Sequence, residues 1–119
     1  MRYMFLLYAA PDSGPAEGSP EQADEMKEWY GYSEALAGNA GMSSGEALQP
    51  STTATTVRVR DGKTTTTDGP FAETKEVLGG WYVVDLPDLD AAIEWAAKCP
   101  LVPYGTVEVR PIQELPDQT

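Results

Sequence analysis

The densest group of side chains able to do chemistry is Asp68-Gly69-Pro70-Phe71-Ala72-Glu73-Thr74-Lys75-Glu76, followed closely by Gly79-Gly80-Trp81-Tyr82. Asp68 stands before a glycine, where backbone can come close to a bound molecule, so it is the candidate general base or ligand anchor. Glu73 and Lys75 would surround a small polar ligand, with Lys75 on an anionic group of it. Phe71 and Trp81, with Tyr82 and Trp29, would wall an apolar pocket. Tyr8, at the end of the first apolar run, would hydrogen-bond the ligand or cap the core. Gly79-Gly80 would let a ligand meet bare backbone, or would mark a strand entry or a bulge. The others also have plainer readings. Asp before Gly is common in turns, where its carboxylate accepts N–H groups from Phe71 or Ala72, and a carboxylate so engaged is a poor base. Glu73, Lys75 and Glu76 would then be a solvated turn with local ion pairs contributing about 0–1 kcal/mol each. The aromatic residues would be core or dimer contacts.

Composition removes several kinds of chemistry. The chain has no histidine and one cysteine, Cys99. That removes the usual zinc ligand sets and any Ser–His or Cys–His nucleophile, and no metal or cofactor is expected. Cys99 precedes Pro100 without an activating neighbour and reads as inert. The threonine runs lack the Gly-x-x-x-x-Gly-Lys spacing of a phosphate cradle. A formal net charge of −11, from 8 basic and 19 acidic residues, repels phosphate backbones and anionic lipid. Only Arg58, Arg60 and Lys63 approach a basic cluster, so neither nucleic acid nor membrane is an expected partner. Residues 1–10 are too short for a spanning helix and lack a basic region leading into a cleavage site. With a lone cysteine, this fits a reducing, cytoplasmic setting.

The elements that must position these residues are also readable. At 119 residues, the chain suits one domain with one core. Residues 2–8 form a near-continuous apolar run, the pattern of a central strand buried on both faces. Ser19-Pro20-Glu21-Gln22 signals a helix start, Ala23, Met26, Tyr30 and Ala37 recur at helical spacing, and residues 38–41 end the helix. Residues 45–50 read as a short extended piece. Residues 52–60 and 63–67 flank Asp61-Gly62, a strong hairpin signal, and residues 72–77 suit one helical turn. Residues 81–86 form another apolar strand. Asp88 caps a second helix with Leu89, Ile93 and Ala96/Ala97 as its apolar stripe. The last strand, residues 106–111, places Val107 and Val109 on one face and Glu108 and Arg110 on the other, and the tail after Ile112 is polar.

This order predicts an antiparallel α+β domain spanning residues 1–119, ferredoxin-like βαββαβ with an extra hairpin strand. The helices cover one sheet face. Tyr3/Phe5/Leu7 and Met4/Leu6/Tyr8 are both apolar sets, so the other face needs cover as well, and a homodimer packed sheet to sheet would supply it. Arg58, Arg60, Glu108 and Arg110 fall on edge strands in this topology, where charge discourages aggregation.

The segment from Asp68 to Glu76, with Leu78-Gly79-Gly80-Trp81-Tyr82, resembles the signature of the DGPF-motif subgroup of the YCII-related family. The opening Arg2-Tyr3-Met4-Phe5-Leu6-Leu7-Tyr8, the stretch at residues 56–62, the helix at residues 88–97 and the strand at residues 107–111 are similar to that family too, so the resemblance covers essentially the whole chain. It implies a dimeric α+β barrel and a bacterial source. It implies an association with extracytoplasmic-function sigma factor pathways, and so a possible partner there. It also implies a His–Asp acid–base pair, whose Asp is similar in position to Asp68. With no histidine, that pair does not carry over. The expectation is a small-molecule site near Asp68, binding or catalytic, with Tyr8, Phe71, Glu73, Lys75 and Trp81 as ligand contacts. The alternative is a non-catalytic interaction dimer acting with a sigma factor pathway.

Overall fold

A computed structural model describes residues 1–117. The elements run β1 (Arg2–Ala9), α1 (Pro20–Asn39), β2 (Ser44–Ala47), a 3-10 turn at Ser51–Thr53, β3 (Thr55–Arg60), β4 (Lys63–Asp68), β5 (Val77–Asp85), α2 (Leu89–Ala97) and β6 (Gly105–Pro111). Four strands form one antiparallel sheet in the order β2-β5-β1-β6. This is the ferredoxin-like arrangement expected from the element order, with the apolar β1 at its centre. The four-stranded sheet of one chain is open rather than closed into a barrel.

Alternation along β1 divides the residues between two faces. Tyr3, Phe5 and Leu7 are buried with Leu36, Val84, Ala92 and Ala96 in the core beneath the two helices. Met4, Leu6 and Tyr8 are half-buried on the opposite face, outside that core. Register carries the division across the sheet. Phe5 pairs with Tyr82 and Val109 on the helix side, and Leu6 pairs with Trp81 and Glu108 on the other. The chain measures 48 × 47 × 20 Å. A 20 Å thickness accommodates one sheet and one helix layer, so the second sheet face has no layer of its own.

Helix α1 starts as its sequence suggests. The Ser19 hydroxyl accepts from the Gln22 N–H at 3.1 Å, and the Gln22 side chain accepts from the Gly18 N–H at 2.7 Å. Ser19→Ala is expected to destabilise the domain by about 1 kcal/mol, read as a lower urea midpoint with an unchanged slope. The buried face of α1 is not the anticipated one. Ala23, Met26, Tyr30 and Ala37 are exposed, and Tyr32 and Leu36 are buried, flanked by half-buried Trp29 and Ala35. A similar correction applies to α2. Asp88 caps it by accepting from the Ala91 N–H at 2.9 Å, but Leu89, Ile93 and Ala97 face solvent while Ala92 and Ala96 meet the core. Small residues let this helix lie close on the sheet, which turns its larger side chains outward.

Two further departures concern the middle of the chain. The strand that completes the main sheet is β2, the short piece expected around residues 45–50. β3 and β4 pair only with each other, as a separate two-stranded ribbon. Arg58 and Arg60 therefore lie on this ribbon and not at an edge of the main sheet. The ribbon turns at Asp61-Gly62, whose φ angles of 52° and 75° are both positive, as a type I′ hairpin turn requires. Residues 72–76 are irregular, with bends at Ala72, Lys75 and Glu76, rather than a helical turn. In the polar tail, Arg2 pairs with Glu114 at 2.8 Å, which holds the carboxyl of Glu114 below its ordinary value. Residues 118–119 lie outside the described residues.

Candidate functional site

Asp68 closes β4, paired across the ribbon with Thr55. The turn that follows is held by backbone and not by its carboxylate. The Gly69 N–H donates to the Ala54 carbonyl at 2.7 Å, and the Thr56 hydroxyl donates to the Gly69 carbonyl at 2.8 Å. Gly69 has φ +93°, open to glycine with little strain. Among the described residues no hydrogen bond or ion pair reaches the Asp68 carboxylate, so the anticipated bonds from Phe71 or Ala72 are not made. Its side chain is exposed.

Further along, the Glu76 carboxylate accepts from the Thr106 hydroxyl at 2.8 Å, tying the segment to β6. The Thr74 hydroxyl donates to the Glu76 carbonyl. Glu73 and Lys75 are exposed and make no ion pair among the described residues.

Two concave regions flank β5. The first has a cavity volume of about 500 Å³ and is walled by Tyr8, Leu48, Pro50, Thr53, Phe71 and Glu76, with Pro70, Ala72 and Thr74 beside them. The fold thus brings Tyr8, from the far end of β1, against the signature segment. Asp68, Glu73 and Lys75 do not line this cleft, and Trp81 lies elsewhere on the open sheet face opposite Leu6. Gln49, Ser51, Thr53, Thr74 and Glu76 give the cleft its polar groups, which no sequence spacing indicates.

The second is a slot of about 430 Å³ between α1 and the sheet, and the two regions share no lining residue. Gly79 and Gly80 belong here. The pairing jumps from Leu7–Gly80 to Tyr8–Leu78, which leaves Gly79 as a bulge. The hydroxyls of Ser33 and Tyr82 lie 2.7 Å apart, and burial pushes the Tyr82 phenol above its ordinary value. Behind the slot, Glu25 accepts from Trp29 Nε1 at 2.9 Å and from the Tyr104 hydroxyl. Burial, then that carboxylate, pushes the Tyr104 phenol upward. Neither Glu25 nor Ser33 stands out in the sequence. The one legible hint is the four-residue spacing of Glu25 and Trp29 on a helix.

Cys99 is 1% exposed, and burial pushes its thiol up to about 11. It is expected to resist Ellman's reagent at pH 8 in the native protein and to react with one equivalent once urea unfolds the chain.

Among the described residues no helix is long and apolar enough to cross a membrane. Residues 1–116 match the family model described as the YCII-related domain. An uncharacterised protein of Rhizobium meliloti (strain 1021) is 45% identical over 67 residues, covering 55% of this chain and 54% of that relative. The matched region is thus about half the length of the relative.

Proposed function

The chain belongs to the YCII-related family, and from that premise we propose that it is a DGPF-subgroup member that binds or acts on a small polar molecule in the cleft between Tyr8 and Phe71. The observation that carries this reading is the meeting of Tyr8 with Pro70, Phe71 and Glu76 around one cavity of about 500 Å³, within the size range of small-molecule clefts. Apolar walls with a few hydrogen-bonding groups suit orientation of such a ligand. In this reading Tyr8 and Phe71 touch it, and Asp68, two residues before Pro70 and outside the cleft's lining, acts at the mouth on a ligand group that projects from it. Glu73 and Lys75 alternate with the lining residues Ala72 and Thr74 at its edge. Trp81 extends the apolar surface on the open sheet face, where a second copy packs to form a homodimer.

Soaking crystals with a set of small carboxylic acids and ring ketones tests the site. Density against Tyr8 and Phe71 supports it. Saturable binding whose density lies only elsewhere removes the signature cleft from consideration.

The open apolar sheet face favours a second reading, a non-catalytic interaction dimer. Its link to an extracytoplasmic-function sigma factor pathway, like a cytoplasmic location in a bacterium, rests on the resemblance and on composition. A cytoplasmic extract passed over the immobilised protein at low salt tests it, and recovery of no partner would count against that role.

A further inference from the structure

The slot between α1 and the sheet has a construction unlike that of the signature cleft. On its sheet side three glycines, Gly45, Gly79 and Gly80, stand among the side chains of Leu7, Ala9, Ala47 and Tyr82. Gly45 pairs with Tyr82, and Ala47 pairs with Gly80, all facing the helices. A Cβ on Gly80 would lie 2.9 Å from the Glu46 carbonyl oxygen, and one on Gly45 would lie 2.6 Å from the Tyr82 ring. Glycine at 45 thus lets the Tyr82 ring lie against the strand, and glycine at 80 lets β2 approach closely. Met26, Trp29 and Tyr30 project from α1 on the other side, and Met26 and Tyr30 are exposed although large and apolar. An apolar slot walled by the rings of Trp29, Tyr30 and Tyr82 suits a planar ring.

The polar groups narrow the ligand further. Ser33 and Tyr82 present two hydroxyls already bonded to each other. One proton is used between them, which leaves one to donate outward. Glu46 shares its face with Trp81, so its side chain leaves the slot on the far side of the sheet. No lysine or arginine lines the slot, and the chain carries a net charge of −11. An anion entering it would meet repulsion without a partner.

We propose that this slot binds a planar, uncharged ring compound that accepts a hydrogen bond from the Ser33–Tyr82 pair. The site is independent of the signature cleft, so either can fail without the other.

The test is a titration followed by amide and indole NMR shifts, with coumarin as the planar acceptor, naphthalene as its counterpart lacking an acceptor, and coumarin-3-carboxylate as the anion. Coumarin is expected to move Gly45, Gly79, Gly80 and the Trp29 indole N–H in a saturable way. It should bind about fivefold tighter than naphthalene, the worth of one hydrogen bond, and tighter than the carboxylate. The Ser33→Ala/Tyr82→Phe double variant should remove the preference over naphthalene. Gly79→Leu, whose Cβ would meet only the Leu7 carbonyl oxygen at an ordinary 4.0 Å, should block both ring compounds while the spectrum keeps its dispersion. The proposal is overturned if coumarin shows no saturable binding, or if its shifts map to Tyr8 and Phe71. It is also overturned if the carboxylate binds as tightly as coumarin, or if a folded double variant keeps the preference.

Discussion

Phe5→Ala is expected to destabilise the domain by about 3–5 kcal/mol, and the same substitution at Phe71 by less than about 0.5 kcal/mol. These are the only two phenylalanines, and the fold uses them oppositely. Phe5 is 0% exposed on the central strand, between Tyr82 and Val109 and beneath the helices. Its removal leaves a cavity between the two neighbouring strands and the helix layer. Domains of this size have a total stability of about 5–15 kcal/mol, so the loss is a large share. With a urea slope of about 1–3 kcal/mol/M, the midpoint should fall by about 2 M. Phe71 is 79% exposed. A large aromatic side chain with so little core contact contributes little to folding, and in the proposed reading its use is in binding. Phe71→Ala should therefore keep the urea midpoint and weaken any ligand of the signature cleft. If Phe71→Ala lowers the midpoint as Phe5→Ala does, the segment is structural.

What could be read beforehand follows from how local each signal is. The Ser19 and Asp88 caps, the Asp61-Gly62 turn and the two-faced β1 depend on neighbours within a few residues, and each appears where expected. The helix faces do not. In α1 two apolar stripes compete. Tyr32 and Leu36, flanked by Trp29, reach the core, and Met26 and Tyr30 line the slot. Periodicity alone ranks neither. In α2 the larger residues, Leu89 and Ile93, are exposed because close approach to the sheet selects Ala92 and Ala96. The short β2 was legible only as an extended piece, since its place in the sheet depends on β5, far along the chain. The signature showed that residues 68–76 are chemically dense. It could not show that Asp68 ends a ribbon outside both cavities, or that Tyr8 and Phe71 line one cleft. Ser33, Glu25 and the glycines of the slot depend on contacts between α1, β2 and β5, which no local pattern encodes.

The second large effect concerns the open sheet face. Trp81→Glu is expected to convert the proposed homodimer to monomer, raising its dissociation constant by about a thousandfold. Met4, Leu6, Tyr8 and Trp81 form one contiguous apolar set there, because β1 and β5 pair Leu6 with Trp81 and place Met4 beside the buried Val83. Around it stand Glu46, the Glu108–Arg110 pair and the Arg2–Glu114 pair. An apolar centre ringed by charge is the anatomy of an interface. In a two-fold dimer each substitution acts twice. A tryptophan at such a centre contributes about 2 kcal/mol or more, so two copies give about 4 kcal/mol, which is the factor of a thousand. The isolated chain should tolerate the change, because Trp81 is only half-buried in it. Ile93→Glu is the matching control, placing the same charge on the exposed stripe of α2. Sedimentation velocity across a range of concentrations reads both. A dimeric wild type, a monomeric Trp81→Glu and a dimeric Ile93→Glu assign the interface to the sheet. Dissociation by Ile93→Glu alone moves it to the helix layer. A wild type that stays monomeric throughout removes the proposed homodimer.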